Sequence, residues 1–288
     1  MRDFVITTDS TVDLPKEYLS QTDIVVLPLA YIIGDKTYQE DGSGLTPKEF
    51  YDALRNGAMP TTSQINPEQA QEAFEKILKE GKDIIHIGFS SALSGSYNSA
   101  RIAAQELQET YPDAKIYTLD SLSASLGEGL LVYKLYEMKK AGKTIDEIYA
   151  WGKENHLHVC HNFTVDDLHH LHRGGRVSKA SAVIGSIINI KPVLVVNDAG
   201  KLIPMDKVRG RKKSLIELVN RMEKQIQGFE NDIFMVSHGD CIEDAEFVAN
   251  LVKERFGIEK VIINEVGAVI GSHAGAGTVA LFFMGAER

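Results

Sequence analysis

Between Asp83 and Ala100 the chain reads DIIHIGFSSALSGSYNSA, a short apolar run that breaks into serine and glycine and then resumes as a helix. That order is expected to give a strand, a tight polar loop and a helix N-terminus. The hydroxyls of Ser90, Ser91, Ser94 and Ser96 gather with Gly95 where unpaired backbone N–H groups and the positive end of a helix dipole converge. Such a loop suits an anion. Serine is also among the best N-cap residues, and helix capping alone would account for the same pattern. No GxxxxGKS/T run is present, so a small carboxylate or phosphoryl group held by neutral donors fits better than a nucleoside triphosphate.

Three more polar clusters interrupt apolar structure. Pro60 to Gln64 carries three consecutive hydroxyls, Thr61, Thr62 and Ser63, more than one cap at Asn66 requires; it reads as a turn or a ligand contact. In Leu171 to Val177, the glycine pair Gly174–Gly175 lies between Arg173 and Arg176, a geometry that can aim guanidinium groups at an anion or leave them solvated in a loop. Gly267 to Gly277 is a glycine-rich bend whose single titratable group is His273. His169, His170 and His172 crowd beside Asp166 and Asp167, but the HExxH pattern is missing, and a solvated helix end is expected there rather than a metal site. A serine hydrolase would need a nucleophile elbow, and no GxSxG occurs.

Something must position these clusters. With 288 residues and 43% hydrophobic content, the chain can build two domains with their own cores. Strand-length apolar runs at Phe4 to Thr7, Ile24 to Tyr31, Ile84 to Phe89 and Lys115 to Leu119 alternate with amphipathic segments, the pattern of a parallel sheet flanked by helices. Thr46-Pro47-Lys48-Glu49 and Asn66-Pro67-Glu68-Gln69 are capping boxes with proline in the first turn. Helices are expected over Ala124 to Lys140, Ile145 to Glu154, Ser178 to Ile188, Lys212 to Gln227 and Glu243 to Phe256. The remaining strands are expected over Leu157 to Phe163, Val193 to Asn197, Ile233 to Ser237 and Val261 to Asn264. The reading is an α/β chain of two domains, residues 1–157 and 158–288.

Charge and cysteine content narrow the classes. A formal charge of −9 opposes non-specific nucleic-acid binding. Cys160 and Cys241 are far apart, without a CxxC, as in a reducing compartment. No apolar stretch approaches the ~18 to 20 residues of a membrane span. A soluble cytoplasmic protein without a metal or disulfide scaffold is expected.

Taken in order, ITTDSTVDLP, PTTSQ, FSSALSGSYNSA, LHRGGRVS, the Lys191-Pro192-Val193-Leu194 strand entry, Lys207-Val208-Arg209 and the closing GSHAGAG resemble the successive motifs of the DegV family of bacterial fatty-acid-binding proteins. The resemblance spans about residues 3–286. It implies a parallel-sheet N-terminal α/β domain and a second, α+β-like domain, with the lipid between them. It also implies that hydroxyls of the TSQ motif and the serine-rich loop hold the fatty acid carboxylate, here Thr62 and Ser94, with His273, Thr61, Ser63 and Arg173 as neighbours. The ligand would be a long-chain fatty acid such as palmitate or oleate, with no cofactor and no catalysis by this chain. The implied partners are a separate fatty acid kinase, which would make the acyl phosphate, and an acyltransferase of phospholipid synthesis. The tail wall would draw on residues such as Phe89, Leu126, Leu130, Ile184, Ile187, Ile188 and Phe282. The basic run Lys207, Arg209, Arg211, Lys212 and Lys213 would dock an acidic partner, steady the acyl phosphate or form a solvated helix start. Two other readings stay open: an enzyme acting on a small phosphorylated or carboxylated substrate through His273, and a lipid sensor that regulates a partner.

Overall fold

The computed structural model describes residues 2–178 and 189–288. Its first half contains β1 (Phe4–Asp9), α1 (Lys16–Leu19), β2 (Val25–Leu27), β3 (Ala30–Ile33), β4 (Lys36–Gln39), α2 (Pro47–Arg55), β5 (Thr61–Ser63), α3 (Pro67–Lys79), β6 (Asp83–Gly88), α4 (Ser96–Thr110), β7 (Ile116–Asp120), α5 (Leu126–Lys140) and α6 (Ile145–Asn155). Then come β8 (Val159–Thr164), α7 (Leu168–Arg173), β9 (Ile190–Val196), β10 (Leu202–Arg209), α8 (Arg211–Gln225), β11 (Phe234–His238), α9 (Ile242–Phe256), β12 (Val261–Glu265), α10 (Ala268–Ala274) and β13 (Val279–Met284). The helix expected over Ser178 to Ile188 lies outside the described residues apart from Ser178, as do Ile184, Ile187 and Ile188.

The strands form three sheets among the described residues. β2-β1-β6-β7 is parallel throughout. β10-β9-β8-β13-β11-β12 is antiparallel except for the β11–β12 pair. A small antiparallel sheet, β4-β3-β5, carries the TTS segment at its edge, with Thr62 opposite Tyr31. Both capping boxes form as expected, at Thr46 with Glu49 and at Asn66 with Gln69.

Three expectations need correction. Ile24 to Tyr31 is not one strand: the chain leaves the parallel sheet at Leu27 and enters the small sheet at Ala30. Pro28 lies between the two, where it removes a ladder donor. The Pro60–Gln64 turn holds a short strand, β5. The glycine-rich bend contains a helix, α10, that ends at Gly275 with φ +82°.

α5 is the layer between the two large sheets. It packs against β1 and β6 on one side and against β8, β11 and β13 on the other. Its Leu126, Leu130, Leu131, Val132 and Leu135 are all fully buried, as befits a helix whose first half is enclosed on every side, while the charged end from Lys134 to Lys140 is more open. Two glycines make the double approach possible. A Cβ built on Gly127 would come within 2.1 Å of His161 Nε2, and one on Gly129 within 2.7 Å of the Val12 carbonyl. Two residues apart on a helix point to nearly opposite sides.

Candidate functional site

Thr62, Ser94 and His273 come from three elements and meet in the wall of one cavity of about 320 Å³. β5 supplies Thr62, the loop before α4 supplies Ser94, and the last turn of α10 supplies His273. Gln64, one residue past β5, ties the first two together: its Oε1 accepts from the Gly95 N–H at 3.1 Å. A Cβ on Gly95 would sit 2.3 Å from that oxygen, so a larger residue there would displace the Gln64 amide. α10 is held at its start by two acids, with Asp13 accepting from the Gly267 N–H at 3.0 Å and Glu40 from the Val269 N–H at 3.0 Å. The His273 ring lies against Gly174, where an added Cβ would fall 2.2 Å from Nδ1.

The hydrogen bonds can leave two hydroxyl protons available. Ser96 Oγ accepts from the Ile65 N–H at 3.3 Å and lies 3.0 Å from Ser94 Oγ, which also accepts from the Ser96 N–H at 3.2 Å. With Ser96 donating to Ser94, the Ser94 proton is free for a ligand. Thr62 Oγ1 lies 2.9 Å from His273 Nε2. Burial, then the charges of Arg176 and Arg173, lower the His273 pKa to about 4. The imidazole is therefore neutral at pH 7; with its hydrogen on Nε2 it donates to Thr62 and frees that proton too.

The cavity is chemically one-sided. Its charged lining residue, among those described, is Arg176, whose Nε donates to the Leu93 carbonyl at 3.2 Å; no Asp or Glu lines it. Most of the remaining wall is apolar and includes Phe89, Leu93, Phe163, Ile270 and Phe282. A second, larger cavity, about 540 Å³, has Glu17, Asp41 and Glu265 in its wall against the cation Lys16, and disfavours an anion. The small-anion chemistry belongs to the first.

Other expected site residues are placed differently. Ser63, at the end of β5, lines the cavity together with Gln64, but Thr61 does not and is exposed. Arg173 is exposed and bonded to His170 at 2.8 Å, and Arg176, from the same glycine-paired motif, reaches the wall instead. The serine loop does not offer open backbone donors: the N–H groups of Leu93, Ser94, Gly95 and Ser96 all have protein acceptors. Ser90 Oγ is used on the Gly200 carbonyl. Phe89 and Phe282 line the cavity, whereas Leu126 and Leu130 are α5 core. Sequence reasoning missed Gln64, Ser125 and Ser237; for Gln64 the signal was its place beside the hydroxyl run. Among the described residues no group of His, Cys, Asp and Glu could hold a metal ion, and no helix is long and apolar enough to cross a membrane.

Residues 3–286 match the family model described as "Uncharacterised protein, DegV family". A DegV domain-containing protein of Clostridium perfringens is 50% identical over 286 residues, covering 99% of this chain and 98% of its own. The solved structure described as fatty acid binding of a DegV family protein from Thermus thermophilus has a TM-score of 0.87 at 29% identity, covering 99% of this chain and 100% of that one. The fold is shared as well with the Streptococcus pneumoniae Fatty Acid Kinase (Fak) B3 protein loaded with linoleic acid, at TM-score 0.86, 23% identity and coverage of 99% and 100%. With nearly its whole length matched by the family model and by a relative at half identity, the chain belongs to the DegV family.

Proposed function

We propose that this chain binds one long-chain fatty acid, with the carboxylate at Thr62, Ser94 and Arg176 and the acyl chain along the apolar wall, and presents it to a separate fatty acid kinase. The observation that carries the reading is the cavity itself: apolar for most of its wall, with hydroxyl donors, a neutral imidazole and one guanidinium, and no acid among its described lining residues. A carboxylate accepts up to about four hydrogen bonds and is costly to bury without them. The two freed hydroxyl protons and Arg176 answer that need. Fatty acid binding in the Thermus thermophilus relative supports the ligand class. The kinase partner is carried by the family resemblance.

His273 as an acid or base would need an orienting group, and among the described residues its ring bonds Thr62 rather than a carboxylate. The carrier role is tested with a fatty acid kinase and labelled ATP. Acyl phosphate forming only when this protein, loaded with oleate or palmitate, is added supports it. Equal turnover of free and bound fatty acid argues for a sensor that does not deliver.

A further inference from the structure

The cavity wall holds a second polar group that a plain acyl chain leaves unanswered. Ser125, just before α5, and Ser237, on β11, both line it, at 5% and 0% exposure. Ser125 Oγ contacts Asp13 Oδ2 and lies 2.9 Å from Ser237 Oγ. Having one proton, Ser125 must donate along one of these bonds and accept along the other. If Asp13 is ionised, Ser237 donates to Ser125 and keeps free lone pairs. If Asp13 holds a proton on Oδ2, the direction reverses and Ser237 keeps a free O–H. In either state Ser237, fully buried and bonded only to Ser125 among the described residues, has hydrogen-bonding capacity left over in an apolar cavity. The backbone is unusual there too: Ser125 sits at φ +56° and ψ −142°, a region costly for a residue with a Cβ.

We infer that Ser237 is a specificity residue that recognises a neutral hydroxyl borne on the acyl chain, so that the preferred ligand is a hydroxylated fatty acid. A hydroxyl is both donor and acceptor, and so matches Ser237 in either state of the Asp13–Ser125 pair. This inference rests on the fatty-acid reading above.

The test displaces a fluorescent fatty acid from the full chain with stearate and with a series of hydroxystearates differing in hydroxyl position. At least one isomer is expected to bind about five- to tenfold tighter than stearate, the gain typical of one hydrogen bond. In Ser237→Ala the advantage over stearate, measured on the same variant with its folding checked by circular dichroism, disappears; should that variant not fold, Ser237→Cys replaces it. Isomers that all bind no better than stearate, or an advantage that survives in Ser237→Ala, overturn the inference; the first is the result expected if a water answers Ser237. Failure of both stearate and every isomer to bind instead overturns the fatty-acid reading, and this inference with it.

Discussion

At a bound carboxylate, Thr62 and Ser94 each offer one O–H, and the tail offers its methylenes. At about 0.8 kcal/mol per buried CH₂, ~14 methylenes contribute on the order of 10 kcal/mol gross, against about 1.5 to 3 for each hydrogen bond to a charged group. The hydroxyls therefore position the head more than they hold the ligand. Ser94→Ala is expected to weaken binding by about ten- to a hundredfold while lipid still loads, measured by fatty acid titration; complete loss of binding would contradict this division of labour. His273 gives a second test at this scale. Its pKa is lowered to about 4 by burial and by the neighbouring Arg176 and Arg173, and a carboxylate placed beside it favours the charged form. An NMR titration should therefore show the His273 pKa rising when oleate is bound, and no rise would put the carboxylate elsewhere. The polar clusters that hold Thr62, Ser94 and His273 were legible because their residue types are out of place in apolar surroundings, but the choice of Thr62 and Ser94 within them came from the family resemblance. Arg173 and Arg176 were not separable, since one turn at Gly174–Gly175 decides which of them faces the cavity.

α10 places His273, and the carboxylates of Glu40 and Asp13 hold the start of that helix. Burial, only partly offset by bonds from Val269 and Ser10, pushes the Glu40 pKa up to about 7 from 4.5. The folded chain thus binds more protons at Glu40 than the unfolded chain between those values, and stability falls as pH rises through that window. The full cost is on the order of 3 kcal/mol. Glu40→Gln keeps a neutral side chain at every pH. Its stability relative to wild type should therefore increase between pH 4.5 and 7.5 in denaturant melts, and parallel curves would contradict the assignment. The buried His86 and the half-buried His273, both with lowered pKa, slope the other way in acid, so the difference between variant and wild type is the quantity to read. Elements with local chemistry were plain in the sequence, as at the Thr46 and Asn66 capping boxes. α10 was hidden by Gly271, which reads as a breaker but lets the helix approach Phe50 and Tyr51; an added Cβ would lie 2.8 Å from each ring system. β10 was hidden for a different reason. It is the edge of its sheet, and exposed Met205, Asp206 and Lys207 remove the apolar pattern by which strands are recognised.

The whole molecule is organised by α5, which gives the two large sheets one continuous core running from Ile6 and Ile85 through Leu130 and Leu131 to Met235 and Phe282. The cavity opens beside that core, with β5, the serine loop and Ser125 on one side and Phe163, Ser237 and Phe282 on the other. The alternation of strands and helices made the α/β class legible, but nothing local in the sequence says that one apolar helix serves both sheets. That follows from Gly127 and Gly129 only once their neighbours, His161 and Val12, are known. A molecule built this way has its ligand space walled in by both halves, and a purified sample should retain what it binds. Mass spectrometry of the intact protein under native conditions, followed by organic extraction, measures this directly. A fatty acid recovered at about one per chain is the expected result; its absence, with no uptake of added oleate or palmitate, would contradict the fatty-acid reading.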